Sequence, residues 1–270
     1  MKKRTIALCL ALIVMTAGAF AAEKRLPLEG EVFEIAGHTA FLILPDNVDA
    51  STPTPWVWYA PTLPGLPGKF EVWMFERFLS NGIAIAGIDV GESYGSPAGR
   101  ALYTSLYQHL TQKRGMSEKA SMLARSRGGL MLYCWAAENP ERVACIAGIY
   151  PVCNIASYPG LARACGAYEM TSKELEAKLA EHNPIDRLSP LAKAGVPIHH
   201  IHGDCDTVVP LEKNSGEVAK RYKELGGKMT LEVVEGQGHN LWSGWFESQP
   251  LVDFVIKNAT PNEASAGSDR

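Results

Sequence analysis

The chain has 270 residues, of which 46% are apolar and 20% charged, which suits a soluble domain with a substantial apolar core. Its formal net charge is −3, and acidic and basic residues are mixed along the sequence without a basic cluster. This charge pattern excludes an electrostatic surface for nucleic acid, and we expect no nucleic-acid partner.

The first 22 residues have the layout of a secretory signal peptide. Three basic residues at positions 2–4 precede an almost uncharged stretch over residues 6–22, which ends in small residues. We predict cleavage after Ala21 or Ala22, which would leave a secreted or periplasmic protein with no stable membrane insertion. A retained anchor is the alternative, because about 18 apolar residues is the lower limit for crossing a bilayer.

From residue 23 onward, apolar stretches of strand length alternate with stretches of helical period. The predicted strands, of which the first two form a hairpin, are Glu31–Ile35, Thr39–Leu44, Trp56–Ala60, Ile83–Ile88, Ala120–Ala124, Val143–Ile149, Ile198–His202 and Met229–Val234. The predicted helices lie near Phe70–Leu79, Arg100–Gln112, Gly128–Glu138, Glu212–Leu225 and Pro250–Asn258. This alternation predicts an α/β fold, with a mostly parallel central sheet flanked by helices.

Residues 152–190 interrupt the alternation with several prolines and a charged helical stretch over Ser172–Glu181. We predict that they form a small cap insertion over the strand ends of a single domain that spans residues 23–259. Residues 260–270 lack hydrophobic bulk, and we expect a disordered tail there.

Five cysteines follow the predicted signal peptide, and an odd number leaves at least one unpaired thiol in an oxidising compartment. Cys153 and Cys165 flank a short, loop-rich segment and are the best candidates for a disulfide. Cys134 and Cys145 lie in apolar runs and are expected to be buried thiols. The sequence leaves the pairing open.

Ser126 lies between a predicted strand and a predicted helix, in the run Ala124-Arg125-Ser126-Arg127-Gly128-Gly129. The small residues Ala124 and Gly128, two before and two after the serine, meet the steric demand of a nucleophile elbow. A serine that caps a helix N-terminus is the alternative for this fragment.

An acid and a base follow two later predicted strands. The loop from His202 to Pro210 contains Asp204 and Asp206, and the turn after the last strand contains His239. Because the carboxyl ends of parallel strands meet at one edge of a sheet, we expect these side chains to approach Ser126.

Together these motifs resemble the α/β-hydrolase superfamily, which includes serine esterases and prolyl-oligopeptidase-like hydrolases, from about residue 31 to residue 258. The order serine, aspartate, histidine is the order of that superfamily. The resemblance implies an α/β-hydrolase fold with Ser126 as the nucleophile, His239 as the base and Asp206 as the acid within Gly-x-x-Asp-x-x-Val-Pro. Asp204 competes for the last role. Residues 89–96 also resemble the family's Asp-x-x-Gly-x-Gly-x-Ser stretch, although Ser93 replaces a glycine.

The resemblance also implies an oxyanion hole, which needs two backbone donors. One is the N–H of Arg127, the residue after the nucleophile. The second would come from the loop after the third strand, where the family's usual His-Gly pair is absent and the flanking prolines have no N–H. Thr62 or Leu63 remains, and we favour Leu63.

Trp242 and Tyr94 are candidate substrate-binding residues, with core packing or a rim contact as the alternative. Arg125 and Arg127 would bind an anionic substrate or form surface salt bridges. The run from His199 to His202 has a spacing that could bind a metal, but it lies on a core strand. We therefore predict no metal and no cofactor.

The sequence predicts an exported serine hydrolase that cleaves carboxylic esters through an acyl-serine intermediate. We expect a small-molecule or oligosaccharide ester as substrate, and carbohydrate-linked acyl esters are one candidate. The alternatives are a prolyl-oligopeptidase-like peptidase or amidase, and a non-catalytic binding protein of the same fold. No oligomeric state is predicted.

Overall fold

A computed structural model of the protein describes residues 24–49 and 51–259. The predicted signal peptide and the predicted C-terminal tail both lie outside these residues. Within them, no helix combines the length and the hydropathy needed to cross a membrane.

The centre of the fold is an eight-stranded sheet with the spatial order β1-β2-β4-β3-β5-β6-β7-β8. The strands are β1 (Glu31–Ile35), β2 (His38–Ile43), β3 (Trp56–Ala60), β4 (Ala84–Ile88), β5 (Ala120–Arg125), β6 (Val143–Ile149), β7 (Ile198–Gly203) and β8 (Met229–Val234). β1 and β2 form an antiparallel hairpin, β2 pairs antiparallel with β4, and the other strands are parallel. The predicted mostly parallel sheet is confirmed, and no predicted strand end is wrong by more than one residue.

Helices flank the sheet on both faces. They are α1 (Val72–Ser80), α2 (Pro97–Lys113), α3 (Gly128–Ala136), α4 (Leu161–Ala164), α5 (Ser172–Ala177), α6 (Leu179–His182), α7 (Ser189–Lys193), α8 (Ser215–Glu224), α9 (Ser243–Phe246) and α10 (Gln249–Ala259). The charged stretch predicted as one helix is divided between α5 and α6, because Lys178 has non-helical dihedral angles.

The core has two layers because alternate residues of each strand point to opposite faces of the sheet. Trp56 and Trp58 of β3 pack with residues of α2, α3 and α8, and the Trp58 ring centroid lies 4.8 Å from that of Trp135. Tyr59 points to the other face and packs with residues of α1 and α10, among them Phe75. Every residue of β3 and β4 is buried, because both faces of these strands are covered. Burial on both faces accounts for the continuous apolar sequence of each strand.

Residues 152–190 contain short helices that share an apolar cluster with the rest of the domain. Ile155, Tyr168 and Leu175 pack there with Tyr94 and Leu130. The segment therefore belongs to the packed domain, and its action as a cap over the strand ends stays a prediction.

The disulfide predicted between Cys153 and Cys165 is wrong, because all five described cysteines are free. Cys153 is buried in the core layer of α2, α3 and α8, whereas Cys165 packs at the edge of the cluster formed by residues 152–190. The Cys165 sulfur contacts Ala162 and Ser172 instead. The two thiols thus belong to different apolar clusters.

Close packing at the start of α3 requires glycine at position 128. A Cβ atom placed on Gly128 would lie 2.1 Å from the carbonyl oxygen of Ala60, at the end of β3. Because that oxygen is a backbone atom in a buried strand, neither side can move without displacing a core element. The small residue expected after Ser126 is therefore needed for contact between α3 and β3.

We expect Gly128→Ala to lower the free energy of unfolding by about 1–3 kcal/mol, the usual cost of overpacking a core. Urea unfolding followed by circular dichroism measures the change. Gly166→Ala is the matched control, because a Cβ there would have no neighbour within 4 Å, and its effect should stay within about 0.5 kcal/mol. Equal midpoints for both variants would contradict this account of the contact.

Candidate active site

Ser126 occupies a sharp turn between β5 and α3. Its φ angle of 48° lies in the left-handed region, which is unusual for a residue other than glycine. The turn is held by backbone hydrogen bonds: the Ser126 N–H donates to Ile149 O at 3.0 Å, and the Ser126 carbonyl accepts from Gly129 and Val152. The strained backbone is thus overdetermined by its neighbours, as in a nucleophile elbow.

A hydrogen-bonded path leads from Ser126 to a buried carboxylate. The Ser126 Oγ lies 2.9 Å from Nε2 of His239, and Nδ1 of His239 lies 2.8 Å from Oδ2 of Asp206. An ionised carboxylate can only accept, so Nδ1 of His239 carries a proton and a neutral ring presents an unprotonated Nε2 to the serine. Ser126, His239 and Asp206, called here the candidate triad, therefore have the arrangement needed to remove the hydroxyl proton.

Asp206 remains ionised although its side chain is fully buried. Burial by itself would raise the pKa of this carboxyl, but hydrogen bonds from His202, His239 and the Val209 N–H hold the pKa far below its usual range. The backbone N–H groups of Val208 and Val209 both donate to Oδ1, at 3.0 and 2.8 Å. A permanent negative charge is thus available beside His239.

Asp204, the competing candidate acid, has a different role in the structure. Its Oδ1 accepts a hydrogen bond of 2.7 Å from the Gly236 N–H, and its side chain is exposed. Asp206, rather than Asp204, therefore contacts His239, while Asp204 joins the loop after β7 to the turn after β8.

The loop after β3 places Leu63 beside Ser126, where it lines a cavity. Thr62 is buried, and its hydroxyl donates to Tyr59 O at 3.3 Å. The loop is fastened by Lys24, whose Nζ donates to the carbonyl oxygens of Leu63 and Leu66 at 2.8 and 2.7 Å. Sequence analysis did not identify Lys24, because it lies 39 residues from Leu63 in the chain.

The cavity beside Ser126 has a volume of about 180 Å³. Its lining consists of Pro61, Leu63, Leu66, Arg125, Ser126, Arg127, Tyr150, His239, Asn240 and Leu241. Tyr150, which sequence analysis missed, contacts the catalytic candidate directly, with its ring centroid 4.4 Å from that of His239. The walls are about equally polar and apolar, and they include both the candidate nucleophile and the candidate base.

Both arginines that flank Ser126 pair with glutamates. Arg125 Nη1 lies 2.5 Å from Oε1 of the buried Glu71, which also accepts from the Tyr59 hydroxyl. Arg127 forms an ion pair with Glu92 at the surface. The expected surface salt bridge therefore describes Arg127, whereas Arg125 pairs with a buried partner, and both side chains also line the cavity.

The two candidate substrate-binding aromatics lie in different surroundings. Trp242 is 41% exposed, and its ring stands edge-on to Trp245 in the loop that follows His239. Tyr94 is buried in the apolar cluster that it shares with residues 152–190, and it does not line the cavity. Only Trp242 is therefore free to contact a ligand at the surface.

The histidines of β7 bind side chains and carbonyl groups of the protein. His202 and His200 are completely buried, and both are hydrogen-bonded to the hydroxyl of Ser215. Among the described residues, no three histidine, cysteine, aspartate or glutamate side chains are arranged to hold a metal ion.

The fold is an α/β-hydrolase fold, and Ser126, His239 and Asp206 have the arrangement that serine hydrolases of this fold use. Among solved structures, a putative dipeptidyl aminopeptidase IV from Bacteroides ovatus matches with a TM-score of 0.66 and 16% identity over 86% of this chain. Est1E from Butyrivibrio proteoclasticus matches with a TM-score of 0.62 and 17% identity over 85% of this chain and 98% of its own. A truncated carbohydrate esterase from gut microbiota matches with a TM-score of 0.65 and 16% identity, over 85% of this chain and 93% of its own.

The sequence model of the prolyl oligopeptidase family matches residues 103–254, more than half of the chain. The chain belongs to the prolyl oligopeptidase family. It spans only 36% of the length of the dipeptidyl aminopeptidase that it resembles. No curated protein matches the sequence.

We expect Asp206→Asn to slow the reaction of Ser126 with a fluorophosphonate by roughly 10³-fold or more. The amide would hold His239 with its proton on the wrong nitrogen, so the ring could no longer accept the serine proton. Asp204→Asn is the matched control, because its amide oxygen can still accept from Gly236. The rate of covalent labelling, followed by mass spectrometry, checks both, and equal losses would contradict the assignment of the acid.

Proposed function

We propose that the protein is a serine esterase that hydrolyses small acyl esters, with Ser126 as nucleophile, His239 as general base and Asp206 as the acid. The observation that carries the proposal is the hydrogen-bonded path from Ser126 through His239 to Asp206 beside a small cavity. A serine hydroxyl is weakly nucleophilic at neutral pH, so it needs such a base within hydrogen-bonding distance.

The proposed reaction has two halves. His239 Nε2 takes the proton of Ser126 as Oγ attacks the ester carbonyl carbon, and it then returns that proton to the departing alcohol. Negative charge on the carbonyl oxygen is met by the backbone N–H groups of Arg127 and Leu63, which we propose as the oxyanion hole. Water then attacks the acyl-serine, with His239 again as the base. This step releases the carboxylic acid product and restores the Ser126 hydroxyl.

The size of the cavity supports a short acyl group. At about 180 Å³ it is smaller than the roughly 300–1,000 Å³ of pockets that enclose drug-sized ligands. Leu63, Leu66 and Tyr150 are bulky lining residues, and we propose that they limit the length of the acyl chain. An acetyl group fits these dimensions.

The size of the cavity favours esters over peptides, because about 180 Å³ is small for a peptide side chain with its flanking backbone. The carbohydrate esterase and the exposed ring of Trp242 support an acylated oligosaccharide as substrate, because aromatic rings provide stacking surfaces for sugars.

A comparison of hydrolysis rates tests this proposal. We expect kcat/KM to be highest for p-nitrophenyl acetate, to fall by roughly tenfold or more for the octanoate because it exceeds the cavity, and to be lower still for peptide p-nitroanilides. Acetylated oligosaccharides should release acetate. Ser126→Ala should abolish both hydrolysis and fluorophosphonate labelling. A folded wild type that is not labelled would favour the non-catalytic binding protein, and faster cleavage of anilides than of esters would favour a peptidase.

Leu66→Ala provides a test of the acyl-binding role of the cavity. Removing three side-chain carbons from the cavity wall should shift the preference towards butyrate and octanoate, measured as the ratio of their kcat/KM to that of acetate. Leu225→Ala is the control, because Leu225 is exposed beyond α8 and does not line the cavity. An unchanged ratio in Leu66→Ala would contradict the placement of the acyl group.

We also propose that the protein is exported, on the strength of the basic, apolar and small-residue pattern of its first 22 residues. Expression in a bacterial host with a secretory pathway should give a processed chain outside the cytoplasm. N-terminal sequencing of that material should begin at Ala22 or Glu23. An unprocessed chain in the cytoplasm or membrane fraction would refute export.

A further inference from the structure

A row of buried polar side chains continues behind the candidate triad. His202, on β7, places its Nε2 3.3 Å from Oδ2 of Asp206 and 2.8 Å from the carbonyl oxygen of Val209. On the other side of the ring, Nδ1 lies 2.8 Å from Oγ of Ser215, the first residue of α8. His202 therefore contacts the acid on one side and the helix on the other.

The row extends further into the core. Ser215 Oγ also lies 3.0 Å from Nδ1 of His200, and Nε2 of His200 lies 2.7 Å from the hydroxyl of Tyr133 on α3. His200, His202 and Ser215 are completely buried, and Tyr133 is 1% exposed. Hydrogen bonds thus join α3, β7 and α8, and the row ends where His202 contacts the carboxylate of Asp206.

The contacts define where the protons lie. Val209 O and the carboxylate can only accept, so Nε2 of His202 must carry a proton. In a neutral ring Nδ1 then accepts from the Ser215 hydroxyl, which leaves Ser215 Oγ to accept from Nδ1–H of His200. His200 Nε2 accepts in turn from Tyr133.

Burial keeps the far end of the chain uncharged. It lowers the pKa of His200 well below the usual value, assisted by the neighbouring His202 and His199, and it raises the pKa of Tyr133. Tyr133, His200 and Ser215 therefore each donate one hydrogen bond in the direction of His202, and His200, Ser215 and His202 each accept one from the group behind.

We propose that His202 is a positioning residue, held in one tautomer by Ser215, His200 and Tyr133, which fixes the Asp206 carboxylate against His239. The proposal rests on the proposed function of the candidate triad. Two backbone N–H groups donate to Oδ1 of Asp206, whereas Oδ2 lies 2.8 Å from Nδ1 of His239 and 3.3 Å from Nε2 of His202. Without His202, Oδ2 would be held only by the ring that it has to orient.

His199 provides a built-in comparison. It lies next to His200 on β7, but its side chain points to the opposite face of the sheet, where its ring packs edge-on against Phe254. It is 6% exposed and lies 3.6 Å from Glu232. If buried histidines contributed only to stability, substitutions at both positions would have similar effects on kcat. If His202 positions Asp206, only its substitution lowers kcat.

The first experiment compares His202→Phe and His202→Gln with His199→Phe and His199→Gln. Each variant is measured by its rate of fluorophosphonate labelling, by kcat and KM for p-nitrophenyl acetate, and by its thermal unfolding midpoint. His202→Phe keeps a ring of similar size but has no donor, so we expect kcat to fall about 10- to 100-fold while KM changes less than about twofold. His202→Gln can place an amide N–H near the former Nε2 and should recover most of that loss.

The His199 variants should keep the wild-type kcat even where their unfolding midpoints fall. A kcat of His202→Phe within about twofold of the wild type, or equal losses at both positions, would overturn the proposal. Loss of kcat in His202→Gln as large as that in His202→Phe would do the same, because the donor would then be irrelevant.

The second experiment uses only the wild type and remains decisive if the His202 variants do not fold. Proton–nitrogen correlation spectra of ¹⁵N-histidine-labelled protein at pH 7 report the tautomer of each ring. We expect neutral His202 with its proton on Nε2 and neutral His200 with its proton on Nδ1. A proton on Nδ1 alone of His202, or a doubly protonated ring, would overturn the proposal. An unlabelled but folded wild type would instead refute the proposed function, whatever the tautomers.

Discussion

The candidate site depends on the parallel hydrogen bonding of β5, β6, β7 and β8. Parallel strands end at a common edge, so a residue placed just after one strand lies near residues placed just after its neighbours. Ser126 follows β5, Asp206 follows β7 and His239 follows β8. Their side chains meet within 3 Å although 113 residues separate the serine from the histidine.

A second constraint comes from burial of the Asp206 carboxylate. An ionised group removed from water is costly unless donors satisfy its oxygens. Two backbone N–H groups and the rings of His239 and His202 supply those donors. This demand accounts for polar residues in an otherwise apolar core, because His202 must itself be satisfied by Val209 and Ser215. The negative charge of Asp206 thus depends on contacts between His202 of β7 and Ser215 of α8.

The loops at the same edge of the sheet determine the size and shape of the cavity beside Ser126. The family fold hosts both esterases and peptidases, so chemistry beyond the triad is decided by what surrounds it. In this chain the loop after β3, fastened by Lys24, brings Leu63 and Leu66 close to Ser126. Tyr150 closes the cavity from the side of β6. A small cavity beside the candidate nucleophile is the result.

The sequence by itself determined the strands and the order of the candidate triad. Fully buried strands are continuous apolar runs, and the elbow at Ser126 needs small neighbours, so both leave local signals. Only the tertiary structure decided which distant side chains meet. Arg125 pairs with Glu71, which lies 54 residues away, and His200 is hydrogen-bonded to Tyr133, which lies 67 residues away. The expected bond between Cys153 and Cys165 fails because packing places them in different clusters. Such contacts depend on how elements pack, which no local pattern encodes.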